Sequence, residues 1–288
     1  MWSALNKLIV IVRNFTKQIT RDNINAFAAS TGFFFFLSIF PTLVIICSVL
    51  PYTPLTEGNL IEAVVAITPD TMDLLVISLI HQAYNQSVKM LPLAIIVAIW
   101  SSGKGMLALM RGLNVVNEVE ENRSYFLLRM EASCYMVITI IALMISLFLS
   151  VFGKMILLYL IQRFPHIQKF LSLMIMFRFV FVWLFLTVIF TIVYTYVPNK
   201  KLKILHQLPG SVITAIGWNL FSYIFSVYIN RADDSSIYGS FSTIIFLMVW
   251  LYFCIYILLL GANMNRYFNP IIQVLLPYRK YRSVWNYK

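Results

Sequence analysis

A chain of 288 residues that is 60% hydrophobic and only 11% charged is not an ordinary soluble domain, in which apolar residues make up about half of the total. Its mean hydropathy of +0.82 makes lipid the solvent to reason from. The net charge of +11 would suit a nucleic-acid binder, but the basic residues lie between apolar runs and so mark membrane orientation instead.

Six apolar runs, at about 26–50, 91–109, 132–152, 175–197, 208–228 and 241–263, meet or approach the roughly 20 residues a helix needs to cross a bilayer core. In lipid the backbone must satisfy its own hydrogen bonds, so each run is predicted to be a helix. The expected fold is an all-α, polytopic membrane protein: one domain with six transmembrane helices. An N-terminal amphipathic helix precedes them, and an extracytoplasmic helical hairpin joins spans 1 and 2. Most basic residues, among them Lys7, Arg21, Arg123, Lys200 and Arg266, fall on segments of one side. The positive-inside rule then places both termini in the cytoplasm.

In residues 1–25, Leu5, Leu8, Ile9, Val12, Phe15 and Ile19 recur at helical spacing, with Lys7, Asn14, Lys17 and Gln18 largely opposite. This helix is expected either on the inner leaflet or against the protein's own cytoplasmic face. Lys7, Arg13, Lys17 and Arg21 leave too short an apolar run for a cleavable signal peptide. In the first span Thr31, Ser38 and Thr42 share a narrow helical sector, and Pro41 is expected to kink the helix. Residues 51–89 read as an outer hairpin. Leu60, Ile61, Val64, Val65 and Ile67 form one short helix, and Thr68-Pro69-Asp70 starts a second.

The second span carries Trp100-Ser101-Ser102-Gly103-Lys104-Gly105, where Gly103 and Gly105 are expected to loosen the helix. Lys104 and Arg111 lie two turns apart on one face and could hold an anionic headgroup or phosphate. The plainer alternative is that Lys104 snorkels to the inner interface. The spacing is not that of a phosphate-binding Walker loop. Glu118, Glu120 and Glu121 read as a solvated loop or helix face. In the fifth span Ser211, Asn219, Ser222 and Ser226 form one stripe, with Gly210, Thr214 and Gly217 beside it. The stripe is either helix-packing glue or, with the first and sixth spans, a polar path. The tail, 264–288, is basic and aromatic.

Hydrolytic chemistry has little support. His81, His166 and His206 are scattered, the acids sit in loops, and Cys47, Cys134 and Cys254 occupy three different spans. No metal or other cofactor is expected.

Several motifs together resemble the YihY/virulence factor BrkB family of six-span bacterial membrane proteins. They are Thr31-Gly32-Phe33 through Pro41, Trp100-Ser101-Ser102-Gly103, Leu113-Asn114, Tyr196-Val197-Pro198-Asn199, Leu208-Pro209-Gly210 and Tyr238-Gly239-Ser240. Trp250-Leu251-Tyr252 and Gly261-Ala262-Asn263 with Asn265 complete the set, which covers about residues 20–266. The resemblance implies an integral cell-membrane protein of the bacterial inner membrane, involved in envelope integrity or lipid handling, with no established catalytic residues.

The motif residues themselves fit mechanics. Pro198-Asn199 and Leu208-Pro209-Gly210 are expected to bound a tight turn, Gly239 to start the sixth span, and Gly261 to Asn263 to end it. The leading expectation is a transporter or flippase-like protein for a lipid or amphipathic anion. Lys104 and Arg111 would attract the headgroup, while Thr31, Ser38, Thr42, Ser211, Asn219, Ser222 and Ser226 line the path. The alternative is a non-transporting scaffold for envelope assembly. Expected partners are membrane lipids, a second copy of the chain or envelope-assembly proteins, and not nucleic acid. An older ribonuclease label for the family is not justified by the residues, and the chain is not expected to be an enzyme.

Overall fold

A computed structural model describes residues 2–49, 56–65, 73–138, 141, 178–232 and 240–275, and among these every regular element is helical. The helices are α1 Trp2–Arg21, α2 Ile24–Val49, α3 Glu57–Val65 and α4 Asp73–Val116. They are followed by α5, described over 125–138, then α6 Arg178–Tyr196, α7 Ile204–Ala232 and α8 Ser240–Leu275. Among the described residues four stretches are long and apolar enough to cross a membrane: Ile24–Ser48, Leu91–Val116, Ile204–Ile229 and Ile244–Tyr267. Trp183–Tyr196 is a shorter apolar helix. The expected third span is described only to residue 138, and the fourth only from residue 178, so the rest of each lies outside the described residues.

Helix α2 packs chiefly on α4 and α8, while α7 packs chiefly on α6 and α8. One buried cluster, including Ile24, Met110, Leu113, Tyr194, Leu259 and Ala262, joins α2, α4, α6 and α8. A second seats Leu60 of α3 against Val44, Cys47, Ile80 and Ala83 at the opposite ends of α2 and α4. Large apolar side chains such as Ile96, Leu184, Phe185 and Ile224 point outward, as a lipid solvent allows.

Two helix ends fix the chain path at what is called here the α1 end. Asn23 adopts φ 50°, a left-handed conformation that Asn tolerates, and turns the chain from α1 into α2. Helix α4 stops in a Schellman motif: Glu118 N–H bonds to Val115 O at 3.0 Å and Val119 N–H to Asn114 O at 2.9 Å. The left-handed position, usually glycine, is Glu118 at φ 49°.

Four expectations need correction. Helix α4 runs unbroken through Gly103 and Gly105, and the glycines serve packing instead. A Cβ at Gly105 would press 2.5 Å from Phe35 Cδ1. The second limb of the outer hairpin is not a separate helix; it is the start of the 44-residue α4, with Thr68-Pro69-Asp70 outside the described residues. Leu208-Pro209-Gly210 does not bound the turn, since α7 already begins at Ile204. Gly261-Ala262-Asn263 does not end the last helix, which continues to Leu275; Asn265 and Arg266 make contacts that hold this extension. Gly239 lies outside the described residues. Helix α2 continues through Pro41.

Candidate functional site

The motif residues meet in pairs. A Cβ at Gly210 would overlap the carbonyl oxygen of Gly261 and lie 2.5 Å from Asn265 Cγ, and one at Gly261 would overlap Thr214 Oγ1. Absence of both side chains lets α7 and α8 cross backbone to backbone. Pro209, which has no N–H to donate, precedes Gly210, whose N–H donates to Asn265 Oδ1 at 2.6 Å. Asn265 Nδ2 in turn donates to Gln207 O and Gln207 Oε1, each at 3.0 Å. Tyr194 gives its single O–H to Leu258 O at 2.7 Å, so the Thr214 hydroxyl, also 2.7 Å away, donates to Tyr194 Oη. Three helices are thereby tied by buried polar groups.

Asn265→Leu is expected to remove about 2 kcal/mol of stability, because it strands the Gly210 N–H and leaves Gln207 under-bonded. Asn219→Leu should be far milder, since Asn219 bonds only the carbonyl of Ala215 in its own helix, at 2.8 Å. Thermal melts of the two purified variants in one detergent make the comparison.

At the α1 end, Asn114 Oδ1 accepts Asn199 N–H at 2.9 Å while its Nδ2 donates to Glu121 Oε2 at 2.7 Å. Asn199 Nδ2 donates to Glu120 O at 2.8 Å, which locks the turn after Pro198 onto the end of α4. Glu121 and Glu131 both hold Arg123. Glu118 receives Arg266 of α8 and, at 2.8 Å, Arg21 of α1. The acids expected to be a solvated loop therefore tie α1, α8 and the turn after α6 to the end of α4. Asp22 is buried, with Arg21 Nε at 3.2 Å and Asn263 Nδ2 at 3.5 Å.

The hydrogen bond from Arg266, joined by that from Arg21, holds the Glu118 carboxyl below its ordinary 4.5 against the opposing effect of burial. A depressed carboxylate stabilises the folded state fully above its unfolded pKa, and loses that contribution as pH falls through the folded one. Acidification from about pH 4.5 downward should therefore free the Arg21 end of α1. Glu118→Gln should show the same release at neutral pH. Amide exchange of residues 10–23 reads both; unchanged protection in Glu118→Gln would contradict the latch.

The expected polar path is divided. Thr31 and Ser38 are buried in α2, Thr42 is half-buried, and Ser38 Oγ bonds back to Phe35 O at 2.7 Å. The α7 stripe belongs to the other packing group: Ser211 Oγ bonds Gln207 O at 2.8 Å and Ser222 Oγ accepts Trp250 Nε1–H at 3.3 Å. Ser226 is half-buried. Both helices pack on α8, and neither cavity described below is lined by either stripe. Thr31 Oγ1 is buried without a hydrogen-bond partner. Beside it, Gly32 lets α2 approach the backbone of Tyr252, which a Cβ would meet at 3.3 Å.

The seam between α2 and α4 is different. The half farther from the α1 end holds a cavity of about 210 Å³ lined by Phe40, Pro41, Val44, Gln82, Leu93, Ala94 and Val97. Further along, Lys104 Nζ lies 3.9 Å from the Trp100 ring centroid and 5.3 Å from that of Phe34. Helical side chains lean toward the N-terminus, so the ammonium points away from the α1 end and does not snorkel to it. About 18 Å of helix axis separates Lys104 from Val116, at about 1.5 Å per residue. Among the described residues no carboxylate lies within ion-pair distance of Lys104. Arg111, exposed, continues this face toward the α1 end. A separate open cavity of about 450 Å³ at the α1 end is lined by residues including Asn117, Glu118, Asn199 and Lys200.

Residue identity alone did not single out Tyr194, Gln207, Asp22 or Arg129. Only their partners, distant in sequence, give them a role.

The Virulence factor BrkB family model matches residues 15–275. The chain is 33% identical to the ribonuclease-like protein YfkH of Bacillus subtilis (strain 168), over 83% of this chain and 87% of that one. It is 26% identical to a UPF0761 membrane protein of Haemophilus influenzae, over 87% and 91% of the two chains. Against a UPF0761 membrane protein of Vibrio parahaemolyticus it is 24% identical, over 91% and 83%. No solved structure matches. A chain whose paired motif residues lie within so long a match belongs to the Virulence factor BrkB family of membrane proteins.

Proposed function

We propose that this protein moves a lipid or lipid-like amphipathic anion across the bacterial inner membrane, along the lipid-facing seam between α2 and α4. The supporting observation is Lys104: a cation deep in a span, resting on Trp100 and without a carboxylate partner. Charges at such depth are costly and usually serve a substrate, and the aromatic faces of Trp100 and Phe34 hold the ammonium in place while no substrate is bound. The apolar flanks, Phe33, Leu37 and Phe40 on α2 and Leu93 and Ile96 on α4, are exposed and suit acyl chains. The cavity beside Pro41 and Gln82 gives the headgroup an outer resting place, and Arg111 an inner one. Both termini lie in the cytoplasm in this reading.

The test is reconstitution of the full chain in vesicles carrying trace headgroup-labelled phosphatidylglycerol or phosphatidylcholine. A membrane-impermeant reductant then bleaches the outer-leaflet label. The protein should let bleaching proceed beyond the outer leaflet, faster for the anionic lipid. Bleaching that stops at the protein-free level for both lipids would overturn the proposal and favour the scaffold reading.

A further inference from the structure

We infer that Arg129 and Lys104 form a two-cation site for a phosphate-bearing headgroup, the first on the backbone carbonyl of Trp100 and the second over its ring. Arg129 comes from α5, and its Nη2 donates to Trp100 O at 2.7 Å. Its guanidinium lies against the bare Gly103, where a Cβ would stand 3.5 Å from Cζ and 3.2 Å from Ser133 Oγ. The other terminal nitrogen, Nη1, is buried and has no hydrogen-bond partner. A buried cationic N–H without a partner is unfavourable unless something completes it. Glu131, two residues on and so about 200° round the same helix, is taken by Arg123.

On α4 the residues Trp100, Gly103 and Lys104 share about 100° of the helix face. Arg129 seated on Gly103 and the ammonium over Trp100 therefore occupy neighbouring sectors of α4. Two cations without a counter-charge, one a planar fork and one a point charge, match a phosphate better than a single carboxylate. The motif glycine at 103 acquires a reason: it seats the guanidinium against α4. The purpose of the site rests on the transport reading above; the binding is separable from it.

Titration calorimetry of the detergent-purified full chain tests the site, with dihexanoyl phosphatidic acid, dihexanoyl glycerol and inorganic phosphate as probes. Phosphatidic acid should bind, and Arg129→Gln and Lys104→Gln should each weaken it about tenfold. Dihexanoyl glycerol, which lacks the phosphate, should bind at least tenfold more weakly than phosphatidic acid. Competition by inorganic phosphate would make this a site for phosphate of either source, and its absence one for the lipid headgroup alone; either result sustains the two-cation site. Equal binding of phosphatidic acid and dihexanoyl glycerol would overturn it, as would unchanged affinity in Arg129→Gln. Should Arg129→Gln fail to fold, Lys104→Gln on the lipid-facing seam decides alone. Binding without lipid movement would sink the transport reading and leave the site standing. Lipid movement by the unaltered chain, slowed in Lys104→Gln but with no phosphate-dependent binding, would do the reverse.

Discussion

Gly261→Ala is expected to lose about 3 kcal/mol or more, the upper range for overpacking a tight contact, and to yield little folded protein. The added methyl would overlap Thr214 Oγ1 and stand 2.7 Å from Tyr194 Oη and 3.0 Å from Gly210 O. Two of these three atoms carry the hydrogen bonds that join α6, α7 and α8, and the third is backbone. None can swing aside without breaking the crossing. Gly217→Ala on α7 is the control: its Cβ would meet only Ile257 Cγ2, at 3.2 Å, a side-chain methyl free to shift. Thermal midpoints of the two variants in the same detergent measure the difference. Equal midpoints would show that the α7–α8 crossing is looser than described.

Lys104→Gln is expected to slow movement of an anionic lipid about tenfold, which corresponds to about 1.4 kcal/mol of lost attraction. Lys104→Arg should retain most of the rate, because it keeps the charge and the aromatic stacking. Trp100→Leu should fall between the two: the ammonium remains but is no longer held over a ring, a contact worth about 0.5–2 kcal/mol. The reading is the rate of label bleaching in reconstituted vesicles, with matched protein incorporation confirmed on gels. A Lys104→Gln protein that moves lipid at the normal rate would remove the central support for the α2–α4 seam.

How much of this was legible beforehand varies by element. The apolar runs at 26–50, 91–109, 208–228 and 241–263 each correspond to a candidate span, because length and hydropathy are local properties that lipid reads directly. The outer hairpin was half legible. Its first helix has a capping box, Thr56 Oγ1 accepting Asn59 N–H at 3.3 Å and Asn59 Oδ1 accepting Thr56 N–H at 2.9 Å, but local pattern could not show that the second limb joins the next span. The polar stripes were visible as stripes. That Ser38, Ser211 and Asn219 bond within their own helices while Ser222 meets Trp250 was not, since serine and asparagine can bond the carbonyl one turn back or a neighbour with equal chemistry.

The sequence by itself determined that this is a helical membrane protein, with motifs that mark helix contacts. Hydropathy, charge placement and small residues act over a few turns, so they can be read along the chain. Only the tertiary structure decided which motif meets which: Gly210 with Gly261 and Asn265, Asn114 with Asn199, Gly32 with Tyr252, and Glu118 with Arg21 and Arg266. It also set Phe34 of α2 beside Lys104 and Arg129 of α5 on the backbone carbonyl of Trp100. Each of these pairs is separated by tens of residues or more. A helix presents the same side chains whatever it faces, so the partners come from packing alone.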